Sequence, residues 1–117
     1  MQEWLESEIK KGYDEVKNMA HWIRQNQERE GEKYFFNGLF YCTRAVSMEL
    51  TEVEIAFLYL DVINYAQESN GIDYLQIYRD DQNRTLYFID NLSEIQINSG
   101  NYSQEENYCT LLFSHEY

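Results

Sequence analysis

Apolar residues occupy most positions from Val53 to Ala66, a density that fits a helix buried around much of its circumference. Thr51 stands three residues before Glu54, the spacing of a capping box, and Asn70-Gly71 supplies residues suited to a left-handed helix end. The pattern therefore predicts a central helix over 51–69, with Phe57 and Leu60 in the core. Its polarity falls on Glu54, Asp61 and Glu68, at intervals close to two turns, which places them on one face as an acidic stripe.

Leu5, Ile9, Val16, Ala20 and Ile23 also recur at helical spacing, with Tyr13 and Met19 widening the stripe. They predict an N-terminal helix over 2–29, closed by Gly31. Trp4 and Trp22 lie near its ends and read as anchors. They would dock the helix on its own sheet, or on a second copy as a homodimer.

The remaining pattern alternates with a period of two. Lys33–Val46 reads as a β-hairpin turning at Asn37-Gly38. Asp73–Arg79 and Thr85–Ile89 form strands on either side of an Asp80–Asn83 turn. Glu94–Asn98 reads as a short strand and Tyr108–Phe113 as the closing one. With no regular βαβ alternation, the order predicts an α+β fold: an antiparallel sheet packed on the 51–69 helix, with the 2–29 helix added. The 117 residues suit one domain, 1–117, with its α+β core over 33–117.

Charge changes the picture more than length does. There are 21 acids against 9 bases, a net charge of −12. The excess is concentrated after residue 44, where Arg79 and Arg84 are the only Lys or Arg residues. This argues against direct binding to nucleic acid or anionic membrane, and for a basic protein partner. No apolar run approaches the ~20 residues of a membrane span, and no secretory leader is evident, so a cytoplasmic setting is expected.

Sixteen per cent of the chain is aromatic, including 11 tyrosines; most suit half-buried strands, and some suit interfaces. Phosphate loops, Cys-x-x-Cys pairs, His-Glu-x-x-His and Gly-x-Ser-x-Gly motifs are all missing. Asp81-Gln82-Asn83 opens like a calcium loop, but Leu86 and Leu92 occupy its glycine and glutamate positions. Cys42 or Cys109 with His21 or His115 is a conceivable nucleophile–base pair. Cysteines inside strand patterns are more often core residues. Neither catalytic residues, cofactor nor metal is therefore expected, and the chain reads as a non-enzyme.

Three stretches, in the same order, resemble domain-of-unknown-function family nine-sixty, small proteins of Gram-positive bacteria and mobile elements. Thr43-Arg44-Ala45-Val46 resembles its Thr-Arg-Gly-Val, with alanine replacing the glycine. Asp73-Tyr74-Leu75-Gln76-Ile77-Tyr78 is similar to its Asp-Tyr-Leu-Gln-Val-Phe strand. Tyr108-Cys109-Thr110-Leu111-Leu112-Phe113-Ser114-His115-Glu116-Tyr117 is similar to its closing Ser-Thr-Met-Leu-Leu-x-x-Glu-Tyr. The resemblance implies a fold and a phage or mobile-element setting, without a mechanism.

Together these features lead to the expectation of an acidic interaction protein, of the anti-CRISPR or anti-restriction type. It would bind a basic, nucleic-acid-handling host protein as a nucleic-acid mimic. The expected contact residues are Glu49, Glu52, Glu54, Asp61, Glu68, Asp80, Asp81, Glu105 and Glu106. The alternative is a small-molecule site or small enzyme with a tyrosine and carboxylate pocket near Tyr74, Tyr78 and Tyr87.

Overall fold

The computed structural model describes residues 21–29 and 31–117. The fold is α+β: a five-stranded sheet whose inner face packs against the long helix over Glu52–Glu68. In chain order the elements are β1 (Ile23–Arg24), β2 (Leu39–Cys42), α1 (Arg44–Glu49), α2 (Glu52–Glu68), β3 (Leu75–Arg79), β4 (Thr85–Asp90), α3 (Glu94–Asn98) and β5 (Tyr108–Phe113). Single 3₁₀ turns at Gln104–Glu106 and Ser114–Glu116 flank β5. The strand order is β1-β3-β4-β5-β2.

Helix α2 begins where its capping box requires. Thr51 Oγ1 accepts from the Glu54 amide at 3.1 Å, and Glu54 Oε1 accepts from the Thr51 amide at 3.0 Å. Beyond its end, Asn70 and Gly71 take φ of 52° and 96°, and the Gly71 amide reaches back to the Ala66 carbonyl. Phe57, Leu58, Val62 and Ala66 are buried in the same cluster as Tyr78, Leu86, Phe88, Leu111 and Phe113 of the sheet's inner face. Side-chain alternation along β3, β4 and β5 matches that burial. The outward-facing strand residues are mostly apolar and half-buried, with Arg79 the one charged residue among those described.

Four expectations need correction. The 2–29 helix does not extend through its last part: residues 21–29 contain no helix, and Ile23–Arg24 pair antiparallel with β3 as Ile23↔Arg79 and Arg24↔Tyr78. The partners available across the fold outweigh helical spacing here, since Trp22 and Arg24 both bond side chains of α2. Residues 2–20 of that expected helix, Trp4 included, lie outside the described residues.

Lys33–Val46 is not a hairpin. Its second half, β2, runs parallel to β5, so the sheet is mixed rather than wholly antiparallel. Tyr34 makes only an isolated bridge to Ile72, and Arg44–Val46 already belong to α1. The left-handed residue is Phe36, φ 54°, held by a hydrogen bond from its amide to Asp90 Oδ2 at 3.0 Å. Gly38 serves close approach instead, because a Cβ there would collide with the Asn107 carbonyl and side chain.

Glu94–Asn98 is helix rather than strand. Ser93 and Gln96 form a capping box, and that local bonding overrides the alternation of Ile95 and Ile97. Leu60, finally, is not a core residue: it is 38% exposed, while Phe57 is buried.

Candidate functional site

The placement of the acidic residues follows from how α2 is rolled on the sheet. Glu54 and Asp61 of its carboxylate stripe face the N-terminal segment rather than open solvent, while Glu68 stays exposed. Trp22 Nε1 donates to Glu54 Oε2 at 2.8 Å, and Asp61 Oδ2 accepts from Arg24 Nε at 3.1 Å and from the Tyr78 hydroxyl at 2.9 Å. The Arg24 guanidinium also lies 3.7 Å above the Tyr65 ring. Burial would push the Glu54 carboxyl up. Hydrogen bonds from the Thr51 backbone, Trp22 and the Thr51 hydroxyl, with the nearby Arg84 charge, instead hold it below the usual glutamate range.

Asp80 is also committed internally. Its carboxylate accepts from the Gln82 and Arg84 amides and pairs with Arg84 Nε at 2.7 Å. Despite burial, those bonds hold its carboxyl below the usual aspartate range. Arg84 in turn lies over the Trp22 ring at 5.0 Å. Glu54, Trp22, Arg84 and Asp80 thus form one chain of contacts closing the end of the sheet where β3 turns into β4.

The other expected contact residues are exposed, but they do not form one patch. Glu49 and Glu52 lie where α1 meets α2, Glu68 at the far end of α2, and Asp81 on the β3–β4 turn. Glu105 and Glu106 precede β5, at the opposite end of the sheet from Asp81, as the β4–β5 and β3–β4 registers require. Glu106 is held locally, its Oε1 capping the Ser103 amide.

With Glu54 and Asp61 turned toward Trp22 and Arg24, α2 presents a different face outward. Val53 and Leu60 are 40% and 38% exposed, Ala56 between them is exposed, and Gln67 continues the line. Met48 of α1, 72% exposed, adjoins the start of this face, with Glu49 and Glu52 beside it. An apolar strip rimmed by carboxylates is the pattern of a protein-binding surface. Spacing of three and four residues through 53, 56 and 60 was visible in the sequence. The same spacing fits a core helix equally well, because nearly every neighbour is also apolar.

The tyrosine pocket does not assemble. Tyr78 points inward and is buried, whereas Tyr87 points outward and meets Tyr117 at 5.8 Å. Tyr74 precedes β3 and packs beside Tyr34. The three tyrosines of the expected pocket therefore do not converge. Cys109 is fully buried, and burial with the neighbouring Asp90 charge pushes its thiol up to about 12, far from a nucleophilic thiolate. His115 is exposed and stacks on Phe113, and His21 is exposed on the far side of the sheet, before β1.

Neither a family model, a curated protein nor a solved structure matches the chain. Among the described residues no group of three or more His, Cys, Asp or Glu side chains is placed to hold a metal ion. No described helix is long and apolar enough to cross a membrane. The corner of α1 and α2, comprising Met48, Glu49, Glu52, Val53, Ala56 and Leu60, is the surface taken forward.

Proposed function

We propose that this chain is a non-enzymatic interaction protein that engages a basic protein partner through the outward corner of α1 and α2. The observation that carries the reading is the inversion of α2. Its carboxylates Glu54 and Asp61 are bonded inward, while Val53, Ala56 and Leu60 face solvent beside the exposed carboxylates of Glu49 and Glu52, which have no bonded partner among the described residues. Apolar anchors would supply the desolvated contacts, and the acidic rim would steer a lysine- and arginine-lined surface onto them.

A protein that holds nucleic acid carries such a basic surface, which makes mimicry of nucleic acid the natural mode of competition. The three stretches resembling family nine-sixty favour a phage or mobile-element setting, and with it an inhibitor of a host defence or nucleic-acid-handling protein. Two free cysteines suit an encounter in a reducing cytoplasm.

Photo-crosslinking side chains at Val53 and Leu60, in the intact protein expressed in a bacterial host, test this reading. A basic protein should be captured from both positions, and Glu49→Lys with Glu52→Lys should remove the capture while the melting curve stays intact. Capture that survives this reversal, or a captured partner without a basic surface, overturns the proposal.

A further inference from the structure

The sheet is apolar on both faces, and the described helices bury residues against one of them. Every buried helix residue among those described, Val46 of α1 and Phe57, Leu58, Val62 and Ala66 of α2, joins the inner-face cluster. On the outer face Ile77, Tyr87 and Leu112 stand in one row across β3, β4 and β5, each half-buried. Ile23, Leu39 and Tyr41 carry the apolar surface to the two edges, at 69%, 50% and 52% exposure. A sheet face left to water is ordinarily polar, and one that is apolar throughout is ordinarily covered.

The stretch of chain before β1 has the pattern to cover it. Leu5, Ile9, Val16 and Ala20 recur at helical spacing. Gly12 falls in the same stripe, where the lack of a side chain lets a backbone approach closely. Glu8 and Glu15 flank the stripe and complement Arg79, the one charged outward-facing strand residue among those described. As a helix, residues 2–20 would span roughly 28 Å. Five strands spaced about 4.8 Å apart and about 20 Å long offer a face whose diagonal is also roughly 28 Å. The stretch leads directly into β1, at the edge of that face.

We infer that the outer face of the sheet is the docking surface for residues 2–20 of this same chain, laid across it as an amphipathic helix. The tether and the charge identify the occupant. A segment joined to the edge of the face meets it at an effective concentration on the order of millimolar. A second copy, with a net charge of −12, is repelled. Docked in this way, the stripe from Leu5 to Ala20 meets the row of Ile77, Tyr87 and Leu112. The segment then lies on the opposite side of the sheet from α2 and leaves the α1–α2 corner free.

A benzophenone side chain placed singly at Leu5, Ile9 or Asp14 of the full chain, followed by irradiation and peptide mapping, tests the inference. Leu5 and Ile9 lie on the apolar stripe and should form adducts within one chain, on the peptides that carry Ile77, Tyr87 and Leu112. Asp14 lies on the opposite side of the helix and should form none with the sheet. Ile9→Asp with Val16→Asp should lower the melting temperature of the full chain by on the order of 5 °C or more. Adducts on α2, adducts joining two chains, sheet adducts as frequent from Asp14 as from Ile9, or no adduct within the chain would each overturn the inference. So would a melting temperature that the double aspartate variant leaves unchanged. Should the labelled proteins not fold, the melting temperature decides alone.

Discussion

Asp90 is the residue on which local conformation and charge conflict most. It is buried, and its carboxylate fixes Phe36, a bulky residue in the left-handed region, through the Phe36 amide. Burial pushes its carboxyl from 3.8 up to about 6, against the pull of the Phe36, Asn91 and Leu92 backbone amides. The unfolded chain releases this proton near pH 4 and the folded chain near pH 6. Between those values the folded state binds more protons, so the Asp90 contribution to stability falls as pH rises. Above about pH 6 the full penalty stands, on the order of 3 kcal/mol. Asp90→Asn keeps an oxygen for the Phe36 amide and removes the charge. Urea midpoints at pH 5 and pH 7.5 should show the variant gaining on wild type at the higher pH. An equal difference between the two proteins at both values would show that Asp90 carries no such penalty.

At the scale of the element, α2 shows how far the sequence could be read. Its ends were legible because capping is local chemistry: Thr51, Glu54, Asn70 and Gly71 act within a few residues. The strands β3, β4 and β5 were legible for a similar reason, since alternation reports which side faces a core. What could not be read was the roll of α2, because a helix apolar on nearly every side has no contrast to fix its orientation. That roll is set by Trp22 and Arg24, 32 and 37 residues from the acids they bond. The parallel placement of β2 was illegible on the same ground, depending on Asn107 and β5 far along the chain. The roll has a direct test in paired truncations. Phe57→Ala should cost about 3 kcal/mol or more, and Leu60→Ala less than about 1 kcal/mol. Denaturation midpoints shifted equally by the two would mean that α2 is rolled differently.

For the whole molecule, the question is whether the acidity serves binding or only solubility. A net charge of −12 on 117 residues stores self-repulsion in the compact state, and Glu49 and Glu52 contribute to it without a hydrogen-bonded or ion-paired partner among the described residues. Glu54, Asp61 and Asp80 differ, because each is bonded to a cation or an indole and reversing them would open the fold. The informative change is therefore Glu49→Gln with Glu52→Gln. Relief of repulsion should stabilise the protein by roughly 0.2–0.5 kcal/mol per site, more at low salt than at high. If a basic partner binds at the α1–α2 corner as proposed, the same change should slow association with it, and the wild-type rate should fall steeply between low and physiological ionic strength. Residues that weaken the fold and strengthen a contact are functional, in the trade familiar from binding sites. If neutralising Glu49 and Glu52 leaves the association rate and its salt dependence unchanged, their charge keeps the protein soluble and does not steer a partner.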